Sequence, residues 1–191
     1  MKSLLKVLIF ASTMAAVFAP TMARADGYIS PFVGVNFGNS SGNGRMNAGA
    51  DVGWLGGRII GVEGDFGYAP SFFGNKGTFG SNAVMDVMGN LILAAPIGTR
   101  HGASVRPYAT VGIGVLRSTI DGIAGGSSVS NSEVGLNAGA GAMGFLSPHF
   151  GLRGDVRYFR NLTDSSTANS ASVDFGAFHF WRASFGIVLR P

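Results

Sequence analysis

The chain has 191 residues, with 14 Lys and Arg against 10 Asp and Glu, three His and no cysteine, which excludes a disulfide framework and thiol chemistry. Glycine stands out at 31 residues, about twice its average usage, but it alternates with Val, Ile, Ala and Phe in a chain that is 46% hydrophobic, which excludes a disordered protein. No basic run or aromatic-interleaved basic patch is present to follow a phosphate backbone, so nucleic acid is not an expected partner.

Residues 1–25 read as a secretory signal. Lys2 and Lys6 give a positive start, Leu4 to Ala19 is mostly apolar, and Ala23-Arg24-Ala25 fits a small-x-small cleavage site. The apolar run is shorter than the roughly 20 residues of a spanning helix, and Pro20 ends it. Cleavage would start the mature chain at Asp26 and remove Lys2, Lys6 and Arg24, leaving 11 basic residues against 10 acidic ones, a net charge of +1. No run of 18 apolar residues follows, so passage through a membrane would require strands closed into a barrel.

From Tyr28 onward the chain alternates between apolar and polar or small residues, the period of a two-faced strand. The first strand, Tyr28 to Phe37, sets Ile29, Pro31, Val33, Val35 and Phe37 against Tyr28, Ser30, Phe32, Gly34 and Asn36. A turn-rich loop, 39–44, precedes the second, Asn47 to Leu55, which a Gly56-Gly57 turn closes. The third, Ile59 to Tyr68, carries Glu63 and Asp65 on one side, and a loop from about Gly74 to Gly80 follows. The fourth, from about Asn82 to Ala95, has a weaker pattern, because Val84, Met88 and Ile92 fall on its polar parity.

A turn over about 96–103 leads to the clearest strand, Arg106 to Val115, where Pro107, Ala109, Val111, Ile113 and Val115 oppose Arg106, Tyr108, Thr110, Gly112 and Gly114. Asp121 to Asn131 reads as a loop, and the sixth strand then alternates from Glu133 to Ala142. A short turn at Ser147-Pro148-His149 precedes the seventh, in which Leu152, Val156 and Tyr158 oppose Arg153, Asp155 and Arg157. A fourth long loop, about 163–175, separates it from the last strand, 179–189.

Eight strands with connections that alternate between long and short imply an all-β fold, an eight-stranded antiparallel up-and-down transmembrane β-barrel with both ends on the periplasmic side. One domain, 26–191, accounts for the mature chain. A soluble barrel has the same parity with the faces exchanged. The charge placement opposes that alternative: the polar parity is largely Gly with isolated Asp, Glu and Arg, and Lys76 is the one lysine after the signal, whereas a solvated surface carries many charges. Phe37, Trp54, Tyr68, Phe72, Phe73, Tyr158, Phe178 and Trp181 fall near strand ends, where interfacial aromatic girdles are expected.

The glycine-rich strands, Arg106-Pro107-Tyr108 followed by Gly112-Ile113-Gly114, and Leu152-Arg153-Gly154-Asp155-Val156-Arg157-Tyr158 resemble the OmpA-like small outer membrane β-barrel proteins. The resemblance covers the whole mature chain and implies residence in the outer membrane, contact with its lipid, and insertion by the barrel-assembly machinery. It departs at Val188-Leu189-Arg190-Pro191, where such barrels commonly end in an aromatic residue. A monomer is expected.

Asp51, Glu63, Asp65, Asp86, Glu133 and Asp155, with Arg106, Arg153, Arg157 and Arg182, share the lumen parity. Unpaired charges in a narrow lumen are costly, so a cross-barrel ion-pair network is expected. Eight strands leave an interior just wide enough for side chains, which favours a structural plug over the alternative, a small gated pore. Glu63 and Asp65 could pass for a general acid and base, but on one face of one strand they read as partners for arginines. His101, His149 and His179 are too scattered for a metal site, and His101 with Ser104 lacks an orienting third group. No catalytic residue, metal or cofactor is expected. The reading is a non-enzymatic outer membrane protein with a structural or surface-interaction role; a small channel, a lipid-modifying barrel enzyme and a soluble ligand-binding barrel are the alternatives.

Overall fold

The computed structural model describes residues 26–38, 44–73, 82–98, 104–120, 129–162 and 178–191. The signal reading of 1–25 and the loops beyond these limits lie outside the described residues. The strands are β1 (Asp26–Phe37), β2 (Arg45–Gly56), β3 (Ile60–Pro70), β4 (Asn82–Ala94), the two-residue β5 (Ile97–Gly98), β6 (Ser104–Ile120), β7 (Val129–Phe145), β8 (Phe150–Asn161) and β9 (His179–Leu189).

Every neighbouring pair is antiparallel, β4 pairs with β6, and β1 pairs with β9, so eight long strands close into one barrel. Closure leaves no exposed edge. β5 merely extends the β4–β6 hairpin by pairing Ile97 with Val105 and Gly98 with Ser104.

β6 and β7 each run 17 residues and pair along their whole length, from Ser104 opposite Phe145 to Ile120 opposite Val129. They exceed the expected lengths, and residues 129–131 belong to β7 instead of the preceding loop. Polar residues such as Ser118, Thr119, Ser130 and Asn131 continue the ladder after the apolar alternation stops, because backbone pairing does not require apolar side chains. The β1–β9 seam is interrupted: Ile29 pairs with Leu189 and Phe32 with Gly186, but Ser30 and Pro31 have no partner across it. Pro31 has no N–H to give.

The short connections and both strand termini lie at one end, which the usual placement of short turns makes periplasmic. Between β2 and β3, Gly57 and Arg58 both take positive φ, 58° and 67°, and the Ile59 N–H bonds the Gly56 carbonyl at 3.2 Å. Two such central residues match the twist of paired strands.

Alternation turns one face of each strand outward. Val33, Val111 and Phe185 are 55–57% exposed, within a belt of outward Val, Ile, Leu and Phe side chains. The opposite parity fills the lumen, and glycine makes the room. A Cβ on Gly141 would come within 2.5 Å of the Asp155 Cβ and the Gly154 carbonyl and 2.7 Å of the Tyr108 hydroxyl. The glycine excess is therefore the complement of large lumen side chains.

Candidate functional site

Three arginines with no water-accessible surface to speak of occupy the middle of the lumen: Arg153 and Arg157 from β8, and Arg182 from β9. On a strand, residues 153, 155 and 157 share one face, so β8 sends Arg153, Asp155 and Arg157 inward together. Asp51 arrives from β2, Glu63 and Asp65 from β3, and Asp86 from β4, across the barrel.

Arg153 places Nη1 2.6 Å from Glu63 Oε2 and 3.1 Å from Asp51 Oδ2, with Nε 3.1 Å from Asp155 Oδ2. Arg157 reaches Glu63 Oε1 at 2.8 Å, Asp65 Oδ2 at 2.9 Å and Asp155 Oδ2 at 3.3 Å. Arg182 pairs with Asp65 and, at 3.0 Å, with Asp86. Each guanidinium thus joins at least two carboxylates, the fork geometry that suits Arg better than Lys.

Neutral groups extend the network. The Tyr28 hydroxyl donates to Glu63 Oε2 and the Tyr108 hydroxyl to Asp155 Oδ2, both at 2.6 Å. Ser184 donates to Asp155 Oδ1 at 2.8 Å, and Asn137 Nδ2 donates to Asn90 Oδ1 at 2.8 Å, while Asn90 Nδ2 donates to Glu63 at 3.2 Å. Rings stack on the cations: Arg182 sits 4.8 Å from Phe32 and 4.7 Å from Phe159, and Arg153 sits 4.9 Å from Tyr108. These tyrosines and asparagines were absent from the sequence-derived set. Their position on the lumen parity was the available signal.

Two members of that set lie elsewhere. Arg106 stands at the periplasmic mouth, where its Nη2 meets Asp26 Oδ2 at 3.0 Å. Glu133 lies toward the outer end and accepts from Asn131 at 2.7 Å and Asn161 at 2.8 Å. Glu133 is four residues outward of Asn137 on β7, about 13 Å at strand rise, which puts it out of reach of the central arginines. Shared parity fixes the face, not the height.

Apolar layers close the lumen on both sides of the charges. Leu55, Ile92, Ala94, Met143, Phe145 and Val188 pack with Tyr28 and Tyr108 on the periplasmic side. Phe72, Val84, Met88, Leu116, Phe159, Phe178 and Phe180 pack on the outer side, with the Phe159 and Phe180 rings stacked at 4.9 Å. Val84, Met88 and Ile92, which weakened the alternation of β4, are parts of these seals. The seals also correct the girdle assignment: Phe72 is fully buried and Phe178 is 5% exposed, because Phe178 continues the lumen parity of Phe180 and Arg182, and Phe72, in the turn after β3, packs its ring against Phe178 and Phe180. Phe73 is half-buried against the same cluster. Trp54, Tyr68, Phe37 and Trp181 do face outward.

Asp51, Glu63 and Asp65 bring one oxygen each within 4.8 Å of one another, a spacing that could hold a cation. Arg153 and Arg157 already occupy these carboxylates, so the donor set is organised for guanidinium. Nothing in it pairs a nucleophile with a base.

Over residues 7–181 the sequence matches the outer membrane protein beta-barrel domain family. The chain belongs to this family. Among solved structures, the outer membrane barrel resembles Neisserial surface protein A, at a TM-score of 0.65 and 15% identity, over 86% of this chain and 97% of that one. It also resembles the N-terminal β-barrel domain of Pseudomonas aeruginosa OprF, at a TM-score of 0.53 and 14% identity, over 88% and 100%. The Yersinia pestis attachment invasion locus protein Ail, in complex with a heparin analogue, aligns at a TM-score of 0.50 and 17% identity, over 86% and 98%. No curated protein matches the sequence significantly. At these identities the likeness establishes the fold, a small outer membrane barrel.

Proposed function

We propose that this outer membrane barrel is a non-enzymatic, non-conducting wall protein that holds its outer loops at the cell surface and contributes to envelope integrity. The observation that supports this reading is the layered lumen: an apolar seal, three arginines pinned by five carboxylates, and a second apolar seal. An ion would have to cross both apolar layers and break charge-assisted bonds in a low-dielectric interior. Breaking a single buried pair costs about 3–5 kcal/mol.

Under the same reading, residues 1–25 are a signal removed on export, the barrel-assembly machinery inserts the chain, and the barrel is a monomer in outer membrane lipid. Planar-bilayer recording of the purified, folded protein tests the proposal. The expected result is no steady conductance from the native protein. Steady unitary currents that change with Arg157→Leu would make it a small channel instead.

A further inference from the structure

The periplasmic mouth has the opposite charge balance to the lumen centre. Arg58 from the β2–β3 turn, Arg106 from β6 and Arg190 after β9 converge there around one side-chain carboxylate, Asp26. Arg106 lies 3.0 Å and Arg58 3.9 Å from Asp26 Oδ2. Arg106 and Arg190 both sit over the Phe145 ring, 4.8 and 3.2 Å from its centroid.

Arg106 is 1% exposed, yet its Nε and Nη1 have no hydrogen-bond acceptor among the described residues, and neither do Arg58 Nε or Arg190 Nη2. Burial, together with the neighbouring Arg106 guanidinium, pulls Arg190 down to about 10. Buried donors without acceptors are costly, and three guanidiniums around one side-chain carboxylate keep the rim positive, which suits a further anion.

On the outer wall, next to this cluster, runs a groove of about 390 Å³ walled by Ile29, Val52, Trp54 and Leu189, with Gly27 as its floor and Arg190 at one end. Its volume falls in the range of small-molecule sites, roughly 300–1,000 Å³. The Trp54 indole leans over Gly27, whose missing side chain keeps the floor open: a Cβ there would lie 3.3 Å from the ring. An apolar groove on the lipid-facing wall that ends at a cationic rim matches one kind of molecule in both halves.

We propose that this corner binds an anionic glycerophospholipid of the periplasmic leaflet, with its phosphate taken by Arg58 and Arg190, which keep accessible surface at the rim, beside the buried charge of Arg106, and an acyl chain in the Trp54 groove. The rim supplies guanidiniums for the phosphate oxygens. The groove distinguishes a lipid from a free anion, because only a lipid fills both.

The two tryptophans are Trp54 and Trp181, so Trp181→Phe makes Trp54 the sole fluorescent reporter. The full chain is folded into phosphatidylcholine vesicles doped with phosphatidylglycerol or phosphatidylcholine brominated on the acyl chain, and quenching of Trp54 is followed against mole fraction. Brominated phosphatidylglycerol should reach half-quenching at a mole fraction lower by about fivefold per engaged arginine. Arg58→Asn with Arg190→Gln should remove the difference, whereas Arg117→Gln, at the other end of the barrel, should keep it. If the double variant does not fold, Arg190→Gln alone, which leaves the Asp26 pairs intact, should reduce the difference. Equal quenching by the two lipids, a preference unchanged by Arg190→Gln, or one that Arg117→Gln also abolishes would overturn the proposal. So would displacement of the preference by millimolar inorganic phosphate, which would give the rim to a free anion.

Discussion

Asp51 and Asp65 stand directly opposite each other across the β2–β3 ladder, and each is 2% exposed. Like charges in that position repel, and the three central arginines face five carboxylates, so the network carries more acid than its guanidiniums balance. Asp51 is held at close range through one oxygen: Arg153 lies 3.1 Å from its Oδ2, while its Oδ1 has no hydrogen bond among the described residues and stands 3.7 Å from Arg157.

Asp51→Asn should therefore be neutral or stabilising by about 1 kcal/mol, since it removes a like-charge contact and keeps the side-chain volume. Urea unfolding of the barrel in lipid vesicles, followed by heat-modifiable gel migration, measures it. A midpoint that falls by as much as for loss of an arginine would show that Asp51 is an indispensable partner.

Arg157→Leu is the reciprocal case. It strips partners from Glu63, Asp65 and Asp155 together and leaves carboxylates buried without compensation, at a cost of about 3–5 kcal/mol. Adding Glu63→Gln to it should recover part of the loss, because one orphaned charge is removed. Additive losses in the double variant would contradict a shared network.

Gly141→Ala tests the account of the glycine excess. The new methyl would press on the Asp155 side chain, the Gly154 carbonyl and the Tyr108 hydroxyl, and overpacking of this sort costs about 1–3 kcal/mol. Gly144→Ala, whose Cβ would meet nothing within 4 Å, is the control and should change the unfolding midpoint little.

The faces of the strands were legible because the strand period is two, and a single parity assignment at Val111 or Glu63 carries along a whole strand. Height along the barrel and reach across it were not. Arg182 meets Asp65 from 117 positions away and Arg157 meets Glu63 from 94, and no local pattern records which strands face one another over a lumen. The end seals were hidden for a different reason. Met88 and Ile92 sit on the lumen parity, where apolar residues look like noise in an alternating strand; Phe178 continues the lumen parity of Phe180 just before β9, and Phe72 lies in the turn after β3, where the period no longer applies. The rim arginines lie on separate strands and turns, and no local pattern sets Arg58 and Arg106 beside Asp26.

Val111 and Thr110 put the lipid assignment to a direct test, because they are neighbours on β6 with opposite faces. Val111 is 55% exposed in the outward apolar belt, whereas Thr110 is 5% exposed and donates its hydroxyl to the Leu91 carbonyl at 3.2 Å. Val111→Arg should destabilise the inserted barrel by about 2–4 kcal/mol, the cost of a cation near the bilayer midplane. Thr110→Ser keeps the hydroxyl and removes one methyl, so it should cost about 1 kcal/mol or less. Unfolding midpoints in vesicles give both values on one scale. In detergent-free buffer a soluble barrel would reverse the preference, since Arg at Val111 would then meet water, and equal costs at the two positions would remove the distinction between a lipid face and a lumen face on which the placement of every central charge depends.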